Sequence, residues 1–209
     1  LLFAAEQRLR EAGFQATQFT LLTGDADIAA HYPAGVRRRV LRRLKQRGIT
    51  VLRETCTGIG PQGLQLGSGA TLLCDVPLLA IGAHAPAWLQ GSGLALSDTG
   101  QVLVNAFQQS PSHANVFAAG DVASRADLPH PKSGVYAVRA GPPLAHNLLA
   151  AHSGQPLQPH QPPRHTLNLL SCGTGHAIAS YGPLHAEGGW AWRWKDRIDR
   201  GFVMRYQRT

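Results

Sequence analysis

The run Asn115-Val-Phe-Ala-Ala-Gly-Asp121-Val-Ala123 decides how this chain is read. Val116-Phe-Ala-Ala119 is an apolar run of strand type, and Gly120 follows with no Cβ to hold a ligand away from the backbone. If the run is a strand, Asp121 stands at its carboxyl end, where open α/β sheets place their ligands. A carboxylate there accepts hydrogen bonds from a polyol or a ribose. An aspartate turn that only stops the strand needs the same residues, and on these residues alone both readings stand.

Ten residues after Asp121, Pro131-Lys-Ser-Gly-Val-Tyr-Ala-Val-Arg-Ala-Gly141 opens a helix expected from Ser133 to about Ala151, with Pro142-Pro143 kinking it. The N–H groups at 133–135 and the positive helix end would favour negative charge on a ligand. An ordinary surface helix is the competing reading. On the other side, Asp75-Val-Pro-Leu-Leu-Ala-Ile-Gly82-Ala-His-Ala-Pro86 reads as a buried strand, Val76–Ile81, turning at Gly82.

The first third of the chain has the rhythm of a parallel α/β sheet. Leu1–Gly13 reads as the inside of a helix closed by a C′ glycine, and Phe19–Thr23 as a strand. Pro33 opens a helix in which Val36, Val40 and Leu44 share one face and Arg37, Arg38, Arg39, Arg42, Arg43 and Arg47 fill the rest. Gly48 ends it before the strand Ile49–Leu52. Because the chain starts within a helix and without methionine, it is expected to be a fragment of a longer protein. Residues 55–82 read as a small antiparallel meander, Val102–Val104 as a strand, and the Pro-, Gln- and His-rich stretch 153–165 as a loose linker. Two strands, Thr166–Leu170 and His176–Tyr181, precede Trp190-Ala-Trp-Arg-Trp194, whose alternating tryptophans fit a strand face, a membrane-interface edge or a dimer contact.

The literal string Gly58-Ile-Gly60-Pro-Gln-Gly63 matches G-x-G-x-x-G. The dinucleotide mechanism needs its third glycine to enter a helix facing a pyrophosphate. Here Leu64-Gln-Leu66-Gly-Ser-Gly69 follows, a strand and a turn, so the string reads as a hairpin loop.

The 209 residues carry a formal charge of +8, nearly all from arginine, which attracts anions without choosing among them. The arginine helix reads as a solvated face in preference to a nucleic-acid patch. Cys56, Cys74 and Cys172 form no C-x-x-C, and His165, His176 and His185 lack metal-ligand spacing. A reduced, cytoplasmic setting fits, with no metal.

Asn115–Ala123 resembles the second flavin-binding motif of the pyridine nucleotide-disulfide oxidoreductase superfamily, whose aspartate holds the ribityl chain of FAD. Asp75–Pro86 is similar to the family's A-T-G-x-x-P strand and turn beside the crossover between nucleotide domains, with Ile81 at the usual threonine. Pro131–Gly141 resembles the helix start that abuts the isoalloxazine ring. Leu1–Gly13 and Phe19–Gly24 are similar to the first helix and second strand of the inserted NAD(P) domain, with Thr23-Gly24 where many relatives have an acidic residue for the adenosine ribose. Gly188–Met204 resembles the C-terminal signature of the oxidoreductases similar to type II NADH dehydrogenase, some of them fused to selenide, water dikinase.

The resemblance implies an α/β fold of partial, Rossmann-like FAD/NAD(P)-binding domains with a small antiparallel meander and an α+β C-terminal module. It divides the chain into an NAD(P) domain at 1–82 lacking its first strand and glycine loop, the C-terminal part of an FAD domain at 83–152, a linker at 153–164 and an interface module at 165–209. It implies FAD and NAD(P)H as cofactors, held on the FAD side by Gly82, Gly120, Asp121, Lys132, Ser133, Gly134 and Val135, with no catalytic side chain of its own. Electrons would pass from NAD(P)H through FAD to a small acceptor such as a quinone. The fragment by itself would be inactive. A homodimer and peripheral contact with the inner face of a membrane stay open, and nucleic acid is not an expected partner. The competing readings are a redox-inactive, nucleotide-sensing relative and a basic nucleic-acid-binding module.

Overall fold

The computed structural model describes residues 1–24, 26–80, 82, 84–173 and 175–207. It divides into two compact units, one formed by residues 1–78 with 165–209 and the other by residues 79–164.

In the first unit, α1 (Leu2–Glu11) ends on Gly13, which takes the left-handed conformation at φ 93°. β1 (Phe19–Leu22), α2 (Ala34–Gln46) and β2 (Ile49–Leu52) form a parallel β-α-β crossover, with Phe19 opposite Ile49 and Leu22 opposite Leu52. Val36, Val40 and Leu44 are the buried face of α2, as their spacing requires, and they join Phe19, Ile49, Cys172 and Ile178 in one core. β3 (Cys56–Gly60), β4 (Gly63–Leu66) and β5 (Thr71–Leu73) make the antiparallel meander. Gly60 pairs with Gly63 across its first turn, so the G-x-G-x-x-G string is a hairpin.

The tail adds β8 (Leu167–Ser171), β9 (Ala177–Tyr181) and β10 (Leu184–Gly188), an antiparallel sheet in the order β10-β9-β8, and then α4 (Gly189–Tyr206). The tryptophans therefore lie on a helix, which removes the strand-face reading. Trp190 and Trp194 are one turn apart on an outer face with ring centroids 6.3 Å apart, while Trp192 packs on the cluster of Ala177, Ala179 and Ala191.

The arginines of α2 are not simply solvated. Arg39 donates to Glu187 Oε1 at 2.5 Å, Arg42 pairs with the same carboxylate, and Arg43 lies 3.8 Å from its other oxygen. Arg47 pairs with the buried Glu6 of α1, and Arg37 with Asp27. The polar face of α2 thus doubles as a docking face for α1 and β10, because each of those elements brings one carboxylate to it.

In the second unit, a 3-10 turn at Ala87–Gly91 seats Leu89 in a core with Val102, Val104, Ala118 and Ala123. β6 (Val102–Val104) runs parallel to β7 (Ala123–Arg125), and α3 (Gly134–His152) runs through Pro142 and Pro143.

Three expectations need correction. Val76–Ile81 does not form a buried strand over the residues described. Val76 is 74% exposed, and Leu78 and Leu79 also face solvent. Pro77 removes a ladder donor from the middle of this run, and the division between the units falls within it. Ile81 lies outside the described residues. Val116–Ala119 is likewise no strand of the sheet. It makes one antiparallel bridge, Gln109 to Phe117, and the paired strand is β7, two residues beyond Asp121. Gly120, at φ 72°, breaks the extended run. Finally, 153–165 is not loose, since hydrogen bonds pin it to the second unit at several points: Gln155 N–H donates to Ala150 O at 2.8 Å and His160 N–H to Ala106 O at 2.8 Å.

Candidate functional site

Every residue assigned to the candidate site falls in the second unit. Gly120-Asp121-Val122 is a 3-10 turn that leads into β7 and packs against the first turn of α3. A Cβ at Gly120 would sit 3.4 Å from that of Ala137, so the glycine lets the turn close onto the helix. Asp121 is exposed beside this junction, before a strand and not after one.

α3 starts one residue later than expected. Ser133 is its N-cap, with extended backbone and no side-chain cap bond, and Ala137 N–H donates to Ser133 O at 3.0 Å. Helix geometry therefore leaves the N–H groups of Gly134, Val135 and Tyr136, not those of 133–135, without partners inside the helix. Together with the helix dipole they form a positive end. Lys132 precedes them. Its ammonium donates to the Ala123 carbonyl, burial pushes its pKa below the ordinary lysine value, and the nearby Asp121 carboxylate acts against that shift.

The structure thus joins Gly120, Asp121, Lys132, Ser133, Gly134 and Val135 in one locality: a carboxylate, an ammonium and a helix N-terminus around a turn closed by glycine. Such a set can hold a polyol on the carboxylate and negative charge on the helix end. Gly82 is exposed at φ 81° with no atom within 4 Å of where a Cβ would stand, and the contacts that tie the other six together do not include it.

Sequence reasoning missed the group behind the turn. Arg125, in β7, is buried. It grips Asp127 with two hydrogen bonds of 2.7 Å and donates to His160 O at 2.9 Å. The Arg125 guanidinium holds the Asp127 carboxyl below its ordinary range. Burial, then the charge of Arg125 and of His130, lowers the pKa of His160 and so favours its neutral imidazole. An arginine two residues before an aspartate was the only local sign of this group.

Among the described residues, no group of His, Cys, Asp and Glu could hold a metal ion, and no helix is long and apolar enough to cross a membrane. The cysteines are free: Cys56 exposed, Cys74 partly covered and Cys172 buried, its thiol pKa raised by burial.

The family model for pyridine nucleotide-disulphide oxidoreductases matches residues 4–147, well over half of the chain. The chain belongs to that family. Members of the family generally bind FAD and NAD(P)H. Two solved structures are similar in fold. Fdr9 is 24% identical with a TM-score of 0.56, the match covering 78% of this chain and 48% of that one. Putidaredoxin reductase, in its covalent complex with putidaredoxin, is 16% identical with a TM-score of 0.57, covering 78% of this chain and 40% of that one. They show a Rossmann-like FAD/NAD(P)-binding fold, present here in part with its sheets open. This chain spans about half or less of the length of these structures. No curated protein matches it.

Proposed function

We propose that this chain is part of a flavin-dependent oxidoreductase that takes electrons from NAD(P)H and delivers them to an acceptor such as a quinone. The observation that carries the reading is the packing of the Gly120–Asp121 turn on the first turn of α3, which puts a carboxylate and a helix N-terminus at one site. FAD, when bound, supplies the redox chemistry. The chain supplies binding and polarity: Asp121 accepts hydrogen bonds from the ribityl hydroxyls, and the N–H groups of Gly134–Tyr136 favour negative charge beside them. Lys132 adds a cation, and Gly82 belongs to the same site in this reading. The division proposed for the chain is a nucleotide half at 1–82 and a flavin half at 83–152, with 165–209 as an interface module. The adenine-end strand and its glycine loop belong to the longer protein, in line with the share of the related structures that this chain spans. The chain alone is then inactive.

Two features refine the proposal. The outer face of α4 carries Trp190, Trp194, Ile198, Phe202 and Tyr206 at four-residue spacing, all exposed, which favours peripheral contact with a membrane and so a membrane-borne acceptor. A second reading, a nucleotide-sensing relative without turnover, is favoured by Thr23-Gly24 after β1, the place where many relatives have an acidic residue for the adenosine ribose.

The deciding experiment is anaerobic titration of the longer protein with NADH and with NADPH, followed by a ubiquinone analogue or a small iron-sulfur protein. Bleaching of a bound flavin and its recovery on adding the quinone is the expected result. Bound flavin that neither nucleotide bleaches supports the sensing relative, and a protein that retains no flavin sinks both. Recovery only with the iron-sulfur protein replaces the quinone as acceptor.

A further inference from the structure

The stretch 155–163 grips both sides of the candidate site. Asn147, in the C-terminal half of α3, is 0% exposed and makes three hydrogen bonds, two of them to the stretch. Its Nδ2 donates to Gln158 O at 2.9 Å and to Phe107 O at 2.9 Å, while its Oδ1 accepts from Gln158 N–H at 2.8 Å. Two residues on, His160 O takes the hydrogen bond from Arg125, whose strand follows directly on the Asp121 turn. At its end, Pro163 O accepts from the hydroxyl of Tyr136, in the first turn of α3, at 3.3 Å.

These three anchors are of one kind. Each joins a backbone group of the strap to a buried side chain, and buried polar groups of this sort hold position because losing a partner leaves the other unsatisfied. One anchor sits on β7, one on the helix N-terminus and one on the helix body. We infer that residues 155–163 are a strap that sets the position of the α3 N-terminus relative to the Asp121 turn, with Arg125, Tyr136 and Asn147 as its positioning residues. The inference rests on the flavin reading of that site for its functional consequence, and on the strap contacts alone for its structural one. Releasing the strap lets the positive helix end withdraw from the turn, so a bound flavin is stabilised less in its reduced, negatively charged form.

The test pairs Asn147→Ala with the milder Tyr136→Phe, which removes one hydroxyl from a buried ring and keeps its packing. In the 209-residue chain, hydrogen–deuterium exchange of the hydrogen-bonded amides 137–141 of α3 and of 155, 158 and 160 is expected to rise in both variants while β1, α2 and β2 keep their protection. In the flavin-loaded longer protein, the midpoint potential of the flavin is expected to move to more negative values and the flavin to dissociate faster. Asn147→Asp sets a carboxylate oxygen against the Phe107 and Gln158 carbonyls in a fully buried place and is expected to release the strap at least as far as Asn147→Ala. Unchanged exchange of amides 137–141 overturns the strap. A lowered melting temperature with unchanged potential and flavin spectrum also overturns it, since that reports stability only. If the longer protein takes up no flavin, the functional reading fails, and the exchange result decides the strap by itself.

Discussion

The imidazole of His185 fills the place that a side chain at Gly35 would take. A Cβ built on Gly35 falls 1.9 Å from His185 Nε2, and the ring's other nitrogen accepts a hydrogen bond from Arg39 at 3.3 Å. α2 and β10 are therefore keyed together one turn above the Glu187 pairs. Gly35→Ala is expected to destabilise the first unit by about 2 kcal/mol through overpacking. In a His185→Ala background the sign is expected to reverse, because the three nearest atoms to that Cβ all belong to the imidazole and alanine is favoured over glycine in a helix by up to about 1 kcal/mol. Urea denaturation of the two single variants and the double variant reads both numbers. Destabilisation of equal size in both backgrounds contradicts the keyed contact.

The carboxylate of Glu187 is only 13% exposed and is shared by Arg39, Arg42 and Arg43. Burial alone would raise its pKa, but the Arg39 hydrogen bond and the charges of Arg42, Arg39 and Arg43 leave it below the ordinary glutamate value. Glu187→Ala leaves three guanidiniums facing one another at the α2–β10 contact. A loss of about 3 kcal/mol is expected, the lower end for breaking a buried ion pair because the arginines are partly solvated. The same substitution at Asp27, an exposed partner of Arg37, is expected to cost under about 1 kcal/mol.

These two contacts also mark where sequence reasoning reaches its limit. The core face of α2 was legible because Val36, Val40 and Leu44 recur at helical spacing, and the Gly58–Gly63 hairpin because strand residues flank it. Glu187 was not legible as the partner of α2, because about 145 residues separate it from Arg42 and nothing local marks it. Asn147 was hidden in the same way, since its partners Phe107 and Gln158 lie on two other segments. The candidate site stands between these cases. Gly120, Asp121 and Lys132–Val135 were found from short runs, but the strand was placed before Asp121 when it follows it. An apolar run ahead of Gly-Asp looks the same whether it enters a sheet or makes a single bridge.

Gly120 and Gly134 lie at the same site and are expected to behave oppositely. Gly120 holds φ 72°, where a side chain costs about 1–2 kcal/mol, and a Cβ there would add a 3.4 Å contact with Ala137. Gly134 opens α3 with open space around it and without a positive φ. Gly120→Ala is expected to lower the stability of the second unit by about that amount, and Gly134→Ala to leave it unchanged or raise it. Thermal melts of both variants check this, and a neutral Gly120→Ala contradicts the left-handed turn.

Acid is expected to loosen both units. Burial lowers the pKa of His176 first of all, the charges of Arg43 and Arg42 lower it further, and Glu187 opposes them. His160 is lowered in the same sense by burial, Arg125 and His130. A histidine held below its unfolded pKa binds fewer protons in the folded chain than in the unfolded one. Its stabilising effect is then fully present above about pH 6.5 and is lost as pH falls through the lower, folded value. Glu187, also lowered, adds a loss of the same sign at still lower pH. Urea midpoints are expected to fall steadily from pH 7 to pH 5, and His176→Gln and His160→Gln each to flatten part of that slope. A midpoint that rises on acidification contradicts the sign.

The outer row of α4 makes the membrane part of the proposed function testable on the chain itself. Lys195 pairs with Asp199 at 2.6 Å and Arg200 with Asp196 at 2.8 Å. Arg193, Arg197 and Arg205 have no such partner among the described residues and stand near the exposed row of Trp190, Trp194, Ile198, Phe202 and Tyr206. Rings that anchor at an interface beside free guanidiniums fit an anionic lipid surface. Co-sedimentation with vesicles containing phosphatidylglycerol is expected, with loss of binding in neutral phosphatidylcholine vesicles and at about 1 M salt, where the screening length falls to about 3 Å. Removing one large ring, as in Trp194→Ser or Phe202→Ser, forfeits about 1.5–3 kcal/mol of apolar burial, at least about tenfold in vesicle affinity. Trp194 fluorescence should shift to the blue on binding. If the chain ignores charged vesicles and sedimentation instead shows a dimer that Phe202→Ser breaks, the row is a contact between two copies and the membrane reading is wrong.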